Sequence, residues 1–507
     1  MATFNLVRNS RVFFTTNLGA VNSQPNCVLA TGYLAANTQE LQVLDGFSFS
    51  QASNADTVNV SEAGNTPVRG QRSFNTSLNN VEFSFSTYVR PRYSAPNVKS
   101  EESHLWNALL STAAIGAAAN FTATGITAAS TTVDAAGVLS VAGTAMTLTG
   151  LNVGDVYVIK GVVGVGAADF NTAVKILSVT GTTAFTAQYL VKPSVAVITA
   201  SWTAAVTLNK TAWNEFPAIG ADTTSPQYSG TGAAYSAITS GVSNKNQLLP
   251  FGMVIKVDGI TYLLDNCAMD QAVIDFGLDG IATIAWTGKG TAIRQTATVV
   301  TIDDTAPLLP VLSGGLTGTV TGKATTANYI TNKLSTVSLI KNIGGTGAGN
   351  TTYTLALTGG SVTISNGITY VTPANLGIVN VPIGYYTGTR AISGSMTAYL
   401  RTGNAVGAGA TGNSTGTLLS DLLAASATAA GVEPKFRVEI DIGGSASGTR
   451  VEIEMPGTTL QIPTIETQAV MSTTINFTAQ GSDAVQGATA NYDLENTNEV
   501  EIRYLSL

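Results

Sequence analysis

The sequence predicts a mainly β protein in which one arrangement of strands and helix is used twice. Three observations carry this. Hydrophobic residues make up 44% of the 507 and charged residues only 11%, with 52 glycines. That balance suits pleated, half-buried surfaces closed by glycine turns, and it is too apolar for a disordered chain. Short runs that alternate apolar and polar side chains recur throughout, as in FSFSTYVRP at 83–91. That same strand returns in altered form as SMTAYLRTG at 395–403.

Turn chemistry places the strands. MVIKVDGITYLLD (253–265) and SVTISNGITYVTP (361–373) each put Asp-Gly or Asn-Gly between alternating runs, which predicts two hairpins with two-residue type I′ turns. LDGIATIAWTGKG (278–290) offers a further Asp-Gly turn into a strand. Helical signals are few. Ser100 is a candidate N-cap for a helix over 100–113, with Leu105, Leu109 and Leu110 at helical spacing. A second helix is expected over 417–427, with Leu418, Leu419, Leu422 and Leu423 as one apolar stripe.

The surroundings of the repeated strand match as well. Tyr88 corresponds to Tyr399 and Arg90 to Arg401, each followed by a turn and a helix. Shifted by 191, Ile274-Asp275 falls on Ile465-Glu466 and TIAWTGKG on TINFTAQG, with Trp286 over Phe477. Five elements in the same order predict an internal duplication. Residues 1–116 and 229–300 form unit A, 301–326 a linker rich in Gly and Thr, and 327–507 unit B. Residues 117–228 have no counterpart in unit B and read as an inserted small β domain, a barrel or sandwich. Tyr88, Arg90, Tyr399 and Arg401 keep one strand face while the opposite face changes, which makes them candidates for contacts between units.

Little in the chain offers catalysis. His104 is the only histidine and reads as a packing residue of the first helix. No Cys or His cluster has metal-ligand spacing, GGTGAGN (344–350) lacks the Lys of a phosphate loop, and GSASG (444–448) misses the nucleophile elbow. No enzyme, cofactor or metal is expected. Cys27 and Cys267 read as small buried apolar side chains. The net charge of −7, with scattered Lys and Arg, argues against affinity for nucleic acid. The start of the chain lacks the apolar run of a signal peptide, and no stretch reaches the roughly 18 apolar residues of a membrane span.

The segment 51–72 reads as a long polar loop carrying Val58, Val60, Val68, Arg69 and Arg72. A loop of that length suits either docking on a neighbouring subunit or a mobile surface.

Several stretches resemble the phage tail tube proteins, most closely the duplicated subunit of the T-five-type long-tailed phages. The resemblance is carried by LVRNSRVFFTT (6–16), VSEAGNTPVRGQRSFNTSLNNVEFSFSTYVRP (60–91), LWNAL (105–109) and DNCAMDQAVIDFGLDGIATIAWTGKG (265–290). In the second half it is carried by YITNKLS (329–335), NGITYVTPANLGIVNVPIG (366–384), GSMTAYL (394–400) and IPTIET (462–467). It implies β-sandwich or barrel-like units, each flanked by a helix, whose sheets pair between neighbours around a channel. It implies stacked rings with the 51–72 loop reaching the next ring, and three copies of a duplicated chain where single-unit relatives use six. Tape-measure and tail-terminator or tip proteins are the partners implied, with DNA passing non-specifically. The place implied is the virion tail, assembled in the host cytoplasm. The insert at 117–228 departs from the family pattern, and its role stays open. The competing class is a carbohydrate-binding adhesin or surface-layer β protein.

Overall fold

The computed structural model describes residues 10–29, 38–58 apart from 45, 72–110 apart from 95, 96 and 101, and 248–296 apart from 258, 259 and 279. It continues with 329–341, 351–401 apart from 377, 414–426, 435–443, 450–480 apart from 463 and 467–470, and 499–506, together with short stretches between 120 and 239. The first half is built from β1 (Ser10–Thr15), β2 (Thr38–Leu41), β3 (Ser48–Val58), β4 (Arg72–Tyr88), the helix α1 (Ser103–Leu110), β5 (Phe251–Val257), β6 (Ile260–Asp275), β7 (Thr283–Gly290) and β8 (Ala292–Thr296). The second half has β9 (Thr336–Lys341), β10 (Thr351–Thr354), β11 (Leu357–Ser365), β12 (Ala391–Tyr399), α2 (Thr415–Ser426), β13 (Lys435–Ile442), β14 (Arg450–Leu460), β15 (Thr464–Glu466), β16 (Ser472–Gln480) and β17 (Glu501–Ser506).

The antiparallel pairings of the two sets correspond. β1 pairs with β2 and β5, β5 with β6, β6 with β7 and β8, β7 with β4, and β4 with β3. Likewise β9 pairs with β10 and β13, and β13 with β14. β14 and β15 pair with β16, β14 with β17, β16 with β12, and β12 with β11. Registers make the match residue by residue. Phe83 faces Gly288 and Phe85 faces Trp286, while Gly394 faces Phe477 and Met396 faces Ile475. Trp286 therefore stands where Ile475 stands, two residues from the expected Phe477. A slip of two leaves each side chain on its original face, which is why periodicity could not detect it.

The slip reveals an exchange of bulk. A Cβ on Gly288 would lie 2.3 Å from the Phe83 ring, and one on Gly394 would lie 2.4 Å from the Phe477 ring. Ring and glycine have changed strands between the halves, and the same space is filled from opposite sides.

Three local expectations change. α1 begins at Ser103, because Ser100 ends a short strand (Asn97–Ser100) and the carbonyl of Glu102 accepts from the N–H groups of Leu105 and Trp106. The Asn366-Gly367 turn does not fold 361–373 into a hairpin. β11 already has β6 on one edge and β12 on the other, so Thr369–Val371 pairs instead with Gly384–Tyr386. Residues 51–58 are not loop but the end of β3, paired with 72–81 in a long hairpin arm. The second helix is close to expectation: Ser414 caps it through Thr417 N–H at 3.4 Å, Leu418 and Leu422 are buried, and Leu423 is exposed.

One core runs through both halves, from Phe85, Leu109 and Trp286 to Val337, Val438 and Ile475. The outer face of the sheet differs between them. In the first half Phe13, Val254 and Leu263 pack with Val28 of a hairpin formed by Leu18–Val21 and Gln24–Val28. Asp265 holds that hairpin down, accepting from Val28 N–H at 2.8 Å and from Arg294 Nη2 at 2.8 Å. In the second half the same three places hold Ser338, Glu439 and Glu454.

Between 120 and 209 the strands form a separate seven-stranded sheet, in which Ala173–Thr180 and Ala184–Tyr189 turn at Gly181 with φ +53°. Trp213–Glu215 belongs elsewhere: it pairs with Ala234–Thr239, which pairs with β17. Trp106 of α1 reaches the same strand, donating to Tyr504 Oη at 2.9 Å. The expected linker 301–326 lies outside the described residues. Among the described residues no helix is long and apolar enough to cross a membrane.

Gly288→Ala is expected to cost about 1–3 kcal/mol through overpacking, with part recovered when Phe83→Leu is added, as measured in a double-mutant cycle by denaturant unfolding. Asp265→Ala should cost roughly 3 kcal/mol, because Arg294 then loses its buried partner.

Candidate assembly interface

Where the two repeats meet, the contact is a ladder of backbone. The far half of β6 pairs with β11 from Gln271↔Ser365 to Asp275↔Ser361. Phe276 N–H donates to Gly360 at 3.1 Å and Asn366 N–H to Asp270 at 2.8 Å, extending the ladder at both ends. A β-bulge between Met269 and Gln271 turns β6 so that its first half can serve β5 and β8 while its second half serves β7 and β11.

Beside the bulge, polar side chains seal the joint. Lys289 Nζ lies 3.2 Å from Asp270 Oδ2 and donates to the Ile368 carbonyl at 2.7 Å. Asp270 Oδ1 accepts from Ile368 N–H at 2.8 Å. Asn366 Nδ2 donates to the carbonyls of Leu109 and Met269 at 2.7 and 3.2 Å, and the Tyr370 hydroxyl to Asn266 at 2.6 Å. Burial raises the Tyr370 phenol well above its ordinary range, so it stays a donor.

A second line of contact runs past the start of β7. Ala282 N–H donates to Ile330 at 3.0 Å and Asn332 N–H to Gly280 at 3.1 Å. Over this line sits the ring of Tyr329. Tyr88 meets it edge-on at 5.1 Å, and the Arg90 guanidinium lies 4.7 Å from its centroid. Arg90 is buried, donating from Nη1 to Gln42 Oε1 at 2.6 Å, while its N–H donates to Glu102 Oε1 at 3.2 Å. Glu102 thus ties the start of α1 to the chain just beyond β4.

The matching place on the second half is open. Leu400 N–H donates to Met471 at 2.9 Å, as Val89 N–H donates to Ala282 at 3.0 Å. Yet Ala282 is fully buried, whereas Met471 is 40% exposed and Tyr399 is 42% exposed. Arg401 is half-buried. Tyr88 and Arg90 are thus brought together onto one ring, and among the described residues Tyr399 and Arg401 have no aromatic ring over them.

Val58 and Arg72 pair at the outer end of the β3–β4 arm. Val60, Val68 and Arg69 lie outside the described residues. Residues 52–57 are exposed. The 366–390 connection of the second half leans on this arm: Leu78 N–H donates to Asn380 at 2.8 Å, and Asn380 N–H to Thr76 at 3.2 Å. It presents Leu376, Ile378, Val379 and Ile383 to solvent. The sequence reading missed Tyr329, Asp270, Lys289 and Asn366; the aromatic opening YITNKLS was the one available signal.

His104 stacks on Phe14 with centroids 5.5 Å apart, and burial lowers its pKa to about 4. Cys27 and Cys267 are buried free thiols, raised first by burial and then by Asp265.

The chain is similar to a phage tail tube protein. It is 26% identical over 493 residues to the tail tube protein pb6 of Escherichia phage T5, covering 95% of this chain and 74% of that protein. No protein-family model matches the chain.

Tyr88→Ala and Tyr329→Ala should each destabilise the fold and show a coupling of about 0.5–1.5 kcal/mol in a double-mutant cycle. Because the fold holds His104 neutral, its contribution is complete above about pH 6.5 and is lost as pH falls toward 4. The melting temperature of His104→Gln should therefore fall less than that of the parent over that window.

Proposed function

We propose that the chain is the structural subunit of a phage tail tube, in which three copies close a ring of six similar units and stacked rings enclose a channel for DNA between capsid and host. The observation that carries the reading is the β6–β11 ladder. It joins two like units head to tail, and a head-to-tail surface repeated from copy to copy generates a ring or filament. The similarity to a protein named as a tail tube protein supports the same role. The reading is structural and not catalytic.

In this reading 1–116 with 229–300 is one unit and 327–507 the other, joined by 301–326. The insert 117–228 decorates the outside through the separate sheet between 120 and 209, while Trp213–Glu215 returns to the sheet that holds β17. The arm that ends at Val58 and Arg72, with Val60, Val68 and Arg69 beyond it, reaches the next ring. The net charge of −7 keeps the bore from holding phosphates. Tape-measure and tail-terminator or tip proteins are its partners, in the virion tail.

Negative-stain imaging of the purified chain should show rings with threefold symmetry or hollow tubes, and persistent monomers would sink the reading. Deleting 59–71 should leave rings that no longer stack; normal tubes from that variant would remove the arm from ring stacking.

A further inference from the structure

We propose that the open face of the strands β4–β7–β6–β11–β12–β16 is the surface that double-stranded DNA passes, and that the duplex slides there because the face offers hydroxyl groups and water in place of cations. The inference rests on the tube reading and assigns the contact with DNA to particular side chains and to a neutral chemistry.

One face of these strands belongs to the core, through Phe85, Trp286, Ile274, Val362, Ile392 and Phe477. The other is open, and its registers run unbroken from strand to strand. Ser86 faces Ala285, Ala285 faces Val273, and Val273 faces Thr363. Thr363 in turn faces Ser393, and Ser393 faces Thr478. None of these side chains is buried. The row crosses the β6–β11 joint between Val273 and Thr363, so the two repeats present one continuous surface. In the row on one side Ser84 faces Thr287, and in the row on the other Asp275 lies between Thr283 and Ser361. Across these three rows Asp275 is the only charged side chain among the described residues.

Such a face gives a polyanion little to hold. Neighbouring side chains stand about 4.8 Å apart across the strands and roughly 7 Å apart along them. The backbone N–H groups are committed to the ladders, which leaves the hydroxyls as donors for a phosphate. A hydroxyl donates and accepts, so water or a neighbouring hydroxyl satisfies it equally well; Ser48 Oγ and Ser84 Oγ lie 2.8 Å apart. Affinity for the DNA backbone comes instead from Lys and Arg, which displace its counterions. Ordinary solvated surfaces carry about 25–35% charged side chains. The outer face of the second half follows that pattern with Arg437, Glu439 and Asp441. The open face does not, and the repeats agree in this. On the core side bulk sits on opposite strands, Phe83 over Gly288 and Phe477 over Gly394. On the open side the adjoining residues are small and polar in both repeats, Ser84 with Ser395 and Thr287 with Asn476.

The test assembles the full chain into tubes with a linear DNA duplex present, then assays pelleted tubes for DNA before and after nuclease. Parent tubes should retain none above background. Ala285→Lys with Thr478→Lys places cations at two exposed positions, so the melting temperature of the chain should not change. Its tubes should retain DNA that nuclease cannot reach. For about six phosphate contacts per ring, affinity should fall on the order of a thousandfold between about 50 and 200 mM salt. Leu177→Lys with Thr180→Lys, exposed on the separate sheet, should hold only DNA that nuclease digests. Asp275→Asn tubes should stay as empty as the parent. DNA retained by parent tubes, or by Asp275→Asn tubes, overturns the neutral face; in the second case repulsion by the carboxylate does the excluding. Nuclease-sensitive DNA on the Ala285–Thr478 variant overturns the placement. Thr478→Cys checks placement without added charge. In tubes its thiol should react with a small maleimide, and with a maleimide carried on a globular protein only before assembly; reaction with both in tubes puts the face outside. All of these outcomes leave the tube reading standing, whereas a parent chain that forms neither rings nor tubes overturns it and this inference together.

Discussion

Backbone satisfaction along β6 is the constraint on which the rest of the structure depends. Ten of its sixteen residues are buried and only Asp275 is exposed, so most of its amide groups are shielded from water and need partners on both edges. The bulge at Met269–Gln271 lets one strand meet that demand with four others, β5 and β8 first, then β7 and β11. β11 belongs to the second repeat, so the first half satisfies its backbone only with the second in place. The polar seal of Asp270, Lys289 and Asn366 sits at the bulge, where the ladder is interrupted and free backbone groups need side-chain partners.

Around that constraint the two halves have diverged in chemistry while keeping strand order. The Phe83–Gly288 pair of the first half is matched by Gly394–Phe477 in the second, which fills the same space from the opposite strand. The outer face Phe13–Val254–Leu263 is apolar under its hairpin, and the matching Ser338–Glu439–Glu454 face is polar. Glu454 is buried beside Arg437, with 2.9 Å between Nε and Oε1, so even the polar version is closed by pairing.

Much of this was legible in the sequence because strand periodicity and repetition are local signals. The alternation of 83–91, the matched Tyr88 and Tyr399, the two helices and the shift of 191 between Ile274 and Ile465 were readable without coordinates. The two-residue slip at Phe477 was not, since a slip by an even number preserves the alternation on which the reading relied. The Asn366-Gly367 turn misled because turn preference ignores what already occupies a strand's edges. The arm at 51–58 read as loop because its polar residues are exposed on both faces, leaving no apolar side to reveal a strand. The clasp on Tyr329 was half visible: Tyr88 and Arg90 stood out by repetition, while their partner lies far away in sequence.

The sequence by itself determined the mainly β class, the doubling of the unit, the absence of recognisable catalytic motifs and the likeness to tail tube proteins. Each depends on composition or on matches along one strand at a time. Only the tertiary structure decided which edges are joined and which are open. β6 closes on β11, Tyr329 fills the place between Tyr88 and Arg90, and Met471 is left bare where Ala282 is covered. The physical reason is that a backbone edge has no sequence signature: every residue except proline carries the same N–H and carbonyl, and whether they are satisfied depends on what the rest of the chain places beside them.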